Sequence, residues 1–234
     1  MKKRRFLSLL LAFSLLFTCT ACKSNSKKDT EKPTMTLIGH ASVKIKTSEG
    51  KVIYIDPYAT GDYSEPADLI LVTHNHDDHN QVGLITTKDT TKTITNDEAQ
   101  IDGVYQTIEE DGIKIEAVPA ENSNHPRNFG VGYIITFDGI SVYHSGDTNM
   151  IDDMKNLSDK NINYAMYPTD GQYNMSAEEA TQVADTVNAK HSIPMHTSVH
   201  DADSIVYDED IVAKFTPASK LEVPFGATIE LSAE

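Results

Sequence analysis

The run His74-Asn75-His76-Asp77-Asp78-His79 puts three imidazoles and two carboxylates on six consecutive residues. Imidazole nitrogen and carboxylate oxygen together suit zinc, iron or manganese. Along an extended segment His74 and His76 face the same way. Asp78 and His79 follow as the chain turns, so they can face a second ion. Packing alone does not explain four ligand-type side chains gathered at the end of an apolar run.

A rigid element must hold such a cluster. Residues 68–73 (Asp-Leu-Ile-Leu-Val-Thr) are almost continuously apolar, which fits a strand buried on both faces and ending in the histidines. Before it, residues 35–38, 41–47 and 51–56 are short β-like runs, and Ser48-Glu49-Gly50 is a turn. After it, residues 92–95, 113–118, 131–137 and 140–143 read as strands, with Asp138-Gly139 as a two-residue hairpin turn. Ser176-Ala177-Glu178-Glu179 is a capping box that opens an amphipathic helix to about Ala189. Residues 149–157 and 202–215 are weaker helical stretches, and residues 221–231 suggest two short strands around Gly226. There is also an internal echo. Residues 52–56 precede the buried strand that runs into His74, and residues 141–147 precede another, residues 162–167. A duplicated β-rich unit would bring both following loops to one edge. Strands mixed with helices throughout imply two sheets with helices outside.

The N-terminus has a different character. Lys2, Lys3, Arg4 and Arg5 precede an apolar run from Phe6 to Phe17, and small residues then lead to Cys22. That order marks residues 1–21 as a secretory signal, excluded from the fold. The residues before Cys22 resemble the lipobox of bacterial lipoproteins. The resemblance implies lipidation of Cys22, with Cys19 as the competing site, and a membrane-anchored protein facing the extracytoplasmic side. Residues 22–33 are polar and read as a flexible tether, leaving residues 34–234 as the folded domain. Both cysteines lie ahead of that domain, so it has no internal disulfide and no cysteine ligand. The chain carries a net charge of −15, and loss of the four leader cations would make it about −19. Such a surface repels phosphate backbones and argues against nucleic acid as a partner.

The run His-x-His-x-Asp-His resembles the signature of the metallo-β-lactamase fold. The resemblance implies an α+β, four-layer αβ/βα sandwich: two mixed β-sheets packed face to face with helices outside. It assigns His74, His76 and His125 to one metal, and Asp78, His79 and His196 to a second, with Asp147 bridging. His144 rivals His125 but sits two residues before the Gly146-Asp147 turn, where it would flank the site. Asp56 could accept a proton from a ligand imidazole and orient it. His40 and Tyr173 are further candidates for contact with a ligand or substrate, while His191 and His200 read as structural or surface residues. Gly39-His40, Ile55-Asp56-Pro57, the residues from Tyr143 to Thr148, Glu178-Glu179-Ala180 and Ile193-Pro194-Met195-His196 look like the single-domain branch related to ascorbate-6-phosphate lactonases. An exported form departs from the usual cytoplasmic setting of that branch, which counts against a phosphorylated intracellular metabolite as substrate.

This resemblance implies a metal-dependent hydrolase with two divalent ions. Zinc is the first expectation, with manganese, nickel or iron compatible. A hydroxide bridging the ions would attack an ester, lactone, amide or phosphodiester bond in a small molecule, with Asp78 and Asp147 as catalytic carboxylates. The competing expectation is a non-catalytic metal- or solute-binding surface lipoprotein on the same fold.

Overall fold

Alternation of inward and outward apolar residues builds two sheets that share one core. The computed structural model describes residues 31–198 and 206–234. The signal segment, Cys22 and most of the tether lie outside the described residues, as do residues 202–205 of the expected last helix.

Five successive strands, β1 (Thr34–Gly39), β2 (Ser42–Lys46), β3 (Val52–Ile55), β4 (Ala67–Leu71) and β5 (Thr87–Ile94), form the first sheet. A small ribbon of β6 (Gln100–Ile101) and β7 (Val104–Tyr105) follows. The second sheet contains β8 (Thr107–Glu110), β9 (Ile113–Ala120), β10 (Gly130–Phe137), β11 (Ile140–His144), β12 (Tyr164–Pro168) and β13 (His191–Met195). The last strand, β14 (Thr228–Glu230), returns to the first sheet beside β1.

The internal echo extends to the topology. In the first sheet β1-β2-β3 are antiparallel, and β3-β4-β5 are parallel. In the second sheet β9-β10-β11 are antiparallel, and β11-β12-β13 are parallel. Each half therefore sends the C-terminal ends of its parallel strands to one rim.

In β3 and β4, Ile53, Ile55, Leu69 and Leu71 face the second sheet and meet Ile135, Val142 and Met166 in the central core. The intervening Tyr54, Ile70 and Val72 face outward, under Ala59, Tyr63 and Ile85. That outer layer is loop plus a single 3₁₀ turn, Val82–Leu84. On the second sheet the outer layer is helical. Helix α1 (Asn96–Ala99) is one turn at the end of β5. Helix α2 (Ala177–Val187) presses Ala180, Val183, Ala184 and Val187 against Ala165 and Tyr167. Each such valine, fully buried, contributes roughly 1.5–3 kcal/mol.

The Ser176 capping box forms as expected, with Ser176 Oγ accepting from Glu179 N and Glu179 Oε2 from Ser176 N. The helix stops at Val187, short of Ala189, because Asn188 takes a left-handed conformation. Three expectations need correction. The stretch expected as a helix over 149–157 is a 3₁₀ segment, Asp152–Lys160. The last helix, α3, covers only Glu209–Lys214, because Asp208 caps its first turn by accepting from Asp210 N and Ile211 N. Only one strand forms after Leu221, since Pro224 has no N–H for a ladder. The Asp138-Gly139 turn is as expected, both residues having positive φ (51° and 74°) between β10 and β11.

Candidate metal centre

The site lies on the common rim, and its frame is built around Asp56. This residue ends β3 with φ of 45°, is fully buried, and accepts Thr73 N through Oδ1 at 2.7 Å. Its Oδ2 accepts the Thr73 hydroxyl at 2.7 Å and His79 Nδ1–H at 2.8 Å. Thr73 Oγ1 lies 3.0 Å from His74 Nδ1. One carboxylate thus orients two imidazoles, His79 directly and His74 through a hydroxyl, leaving Nε2 of each aimed into the site. Burial opposes ionisation of Asp56, but the charge and hydrogen bond of His79 outweigh it and hold the carboxyl below its ordinary range.

Three overlapping groups of donor atoms emerge, each with its atoms within 4.8 Å of one another: His74, His76 and His125; His40, Asp78, His79 and His196; and His74, His79 and Asp147. His76 Nδ1 and His125 Nε2 are 3.0 Å apart. His125 stacks on Phe129 with ring centroids 5.0 Å apart, and its Nδ1 lies 3.2 Å from Asn122 Nδ2. Asp147 Oδ1 is 3.3 Å from His79 Nε2, and its Oδ2 is 3.8 Å from His196 Nε2. Asp147 therefore faces both halves of the cluster.

Gly146 makes that placement possible. Its φ is 62°, and a Cβ there would lie 2.6 Å from the carbonyl oxygen of Val131. Only glycine lets the chain bend so close to β10 while presenting the next carboxylate.

Charge in the cluster is unevenly held. Burial would lower the His79 pKa, but Asp147, Asp56 and Asp78 raise it to about 10. Burial, then His79, pushes His74 down to about 3. Burial, then His196, pushes His40 down to about 4, against its hydrogen bond to Asp78. Burial disfavours ionisation of Asp147 and Asp78, yet the surrounding imidazoles hold both carboxyls far below the ordinary carboxylate range.

The donor set fits metal. His74 Nε2, His79 Nε2, Asp147 Oδ1 and His196 Nδ1 are all buried and without a hydrogen-bond partner. Each such atom costs about 1–3 kcal/mol when nothing binds it. Three of these atoms, on His74, His79 and Asp147, form one cluster, where imidazole and carboxylate donors match zinc, manganese or iron; His196 Nδ1 instead faces Asp170.

The structure brings all seven sequence-assigned ligand candidates together. It also moves His40 inward. His40 Nε2 is 3.3 Å from Asp78 Oδ2, and its ring centroid is 3.7 Å from that of His196. His144 stays outside the donor groups. Its Nε2–H donates to the Ala41 carbonyl at 2.8 Å and its Nδ1 accepts from Gly146 N at 3.2 Å, so it is a buried strut. His191 stacks on Tyr164 away from the site. Tyr173 lines a cleft of about 490 Å³ above the donors, opposite Tyr58, with Asn124 and the exposed Asp77 also in its wall.

Sequence reasoning missed Thr73, Tyr58, Asn122, Asp170 and Asn174. Asp170 Oδ2 lies 3.3 Å from His196 Nδ1. Carrying the internal echo one loop further would have pointed to Asp170, since the loop after β12 matches the histidine-bearing loop after β4.

A family model described as Beta-lactamase superfamily domain matches residues 34–196, from the first residue of β1 to His196. A UPF0173 metal-dependent hydrolase of Pyrococcus furiosus is 32% identical over 189 residues, covering 69% of this chain and 83% of that protein. The crystal structure of a candidate metal-dependent hydrolase from Parabacteroides distasonis superposes with a TM-score of 0.68 at 31% identity, covering 82% of this chain and 92% of that one. Igni18, a metallo hydrolase of Ignicoccus hospitalis, shares the fold at a TM-score of 0.62 and 22% identity, covering 86% of this chain and 100% of that one.

Proposed function

We propose a two-ion hydrolytic centre for this chain, which belongs to the β-lactamase superfamily and, within it, to the UPF0173 metal-dependent hydrolases. It is a metal-dependent hydrolase. In the proposed site His74, His76 and His125 hold one ion, and Asp78, His79 and His196 hold the other. Asp147 serves both. The observation that carries this reading is that the group of His74, His79 and the buried Asp147 shares His74 with one flanking donor group and His79 with the other.

Two divalent ions bound here would supply an acidified water as hydroxide near neutral pH and a Lewis acid for the developing negative charge. The remaining roles belong to the side chains. Asp56 fixes the tautomers of His79 and His74. Asp147, kept ionised, holds the two halves in register. Asp78, a quarter exposed beside the cleft, is placed to take a proton from the attacking water and pass it to the leaving group. Tyr58 and Tyr173 supply apolar walls.

The substrate proposed is a small ester, lactone, amide or phosphodiester. Among the described residues no lysine or arginine lines the cleft, and Asp77 adds negative charge at its edge. This favours a substrate without an extra phosphate or carboxylate. The leader motif supports export and lipid anchoring through Cys22.

Elemental mass spectrometry on the wild type and Asp147→Ala tests the centre. About two zinc or manganese ions per chain, falling in the variant together with at least a hundredfold loss of turnover, is expected. A wild type that takes up no metal after reconstitution overturns the proposal.

A further inference from the structure

Asp170 stands two residues beyond β12, and its side chain is fully buried. Its Oδ1 accepts the backbone N–H groups of Gln172, Tyr173 and Asn174 at 2.9, 2.7 and 3.2 Å. Its Oδ2 accepts Asn174 Nδ2 at 2.9 Å and faces His196 Nδ1 at 3.3 Å, a ring nitrogen without a hydrogen-bond partner. At the other end of Asn174, Oδ1 accepts Asn122 Nδ2 at 2.8 Å. Asn122 Oδ1 in turn accepts the backbone N–H of Asn124 at 2.9 Å and of His125 at 2.8 Å. These donors fix the orientation of both amides.

We propose that Asp170, Asn174 and Asn122 form a polar brace that positions His196 and His125, one ligand of each ion. The inference rests on the two-ion reading. The path His196–Asp170–Asn174–Asn122–His125 joins the loops after β13, β12 and β9, all on the second sheet. Asp56 does the corresponding work from the first sheet, where it orients His74 and His79. Each ion is then held by imidazoles set from both sheets.

Asp170 is a positioning residue, not a catalytic one. A carboxylate opposite His196 Nδ1 keeps the proton on that nitrogen and leaves Nε2 as the donor facing Asp147. An imidazole so partnered is also the more basic ligand. The buried carboxylate is itself satisfied by four donors from its own loop, so its remaining direction is free for the histidine. Asn174 makes the arrangement cooperative, because one amide serves both ends of the path.

The test uses the full chain and zinc alone as the probe. Competition with a chromophoric chelator gives the two stepwise zinc affinities, and imidazole NMR follows the His196 Nδ1–H proton. Asp170→Asn should weaken one of the two affinities by about 10- to 100-fold, leave the other within about threefold, and shift or abolish the His196 Nδ1–H signal. Asn122→Ala, at a partly exposed position, should weaken one affinity while the His196 signal persists, and it keeps the test open should Asp170→Asn not fold. Asn174→Ala should weaken both. Variants that lose thermal stability but bind two zinc ions with wild-type affinity and keep the His196 signal would overturn the brace while leaving the two-ion centre intact. A wild type that binds fewer than two ions would remove the two-ion reading and the brace with it.

Discussion

The backbone N–H of His196 donates to the carbonyl oxygen of His40 across 2.9 Å, and their ring centroids lie 3.7 Å apart. The end of β1 in one sheet is thereby joined to the end of β13 in the other. Both residues have positive φ, 53° and 46°, a conformation that costs about 1–3 kcal/mol for a non-glycine residue and is maintained only where surrounding contacts demand it. Asparagine tolerates this conformation better than most residues. His40→Asn should therefore keep the chain path while removing the imidazole beside Asp78. The expected result is a folded protein with turnover reduced at least about tenfold and one ion held more weakly. Unchanged kinetics and metal content would show that His40 serves the backbone junction alone.

Acid should destabilise the metal-free protein within a defined window. His40 and His74 are neutral when folded, pushed down by burial to about 4 and about 3, against 6.5 in the unfolded chain. Between pH 6.5 and about 4 the unfolded state binds protons that the folded state does not, so stability falls as pH falls. The slope is up to about 1.4 kcal/mol per pH unit for each group. His79, raised to about 10, works against this slope above about pH 5.5, where only the unfolded imidazole still takes up a proton, and adds none below; Asp147 and Asp78 add to the loss only near about pH 4, where carboxylates of the unfolded chain begin to protonate. Thermal unfolding of chelator-treated protein at pH 7, 5.5 and 4.5 measures this. A flat profile would contradict the neutral assignment of the two histidines.

Charge selection at the cleft is accessible through matched substrates. An uncharged ester or lactone should be cleaved with kcat/KM at least about tenfold above the same compound carrying a remote phosphate, a gap of about 1.4 kcal/mol in transition-state binding. Asp77→Lys should narrow the gap, and more so at low ionic strength. Faster cleavage of the phosphorylated compound by the wild type would reverse the charge argument.

Tyr173 should affect substrate and not metal. Tyr173→Ala removes one wall of the cleft and should raise KM several-fold with two ions still bound. Loss of metal in this variant would mean that its loop acts on the ligands and not on the substrate.

Anchoring is tested by fractionation. Cys22→Ser should shift the protein from the membrane to the soluble fraction, and Cys19→Ser should not. The opposite pattern would place the lipid on Cys19.

The cluster from His74 to His79 was legible because its spacing survives any folding detail, and β4 delivers it to the rim. Asp147 was legible through the glycine before it. The capping box of α2 and the Asp138-Gly139 turn are local signals, settled by residues within one turn of each other. Asn122 was not legible, because an amide in a polar loop looks the same whether it meets a distant histidine or water, and Asp170 was marked only by its place in the loop that the internal echo pairs with the histidine run. The short outer layer of the first sheet was hidden for a similar reason. Tyr63 and Ile85 cover Tyr54 and Ile70 from irregular chain, which leaves no periodic pattern.

The division of the donors between two sheets has a consequence for how the molecule comes into being. Neither half of the chain holds a complete set: His125, Asp147 and His196 come from the second sheet, and the remaining donors from the first. In the proposed centre each ion draws ligands from both sheets, so its full ligand set exists only once the halves have docked. A seated ion then works as a clasp across the seam, and the halves cannot part without letting it go.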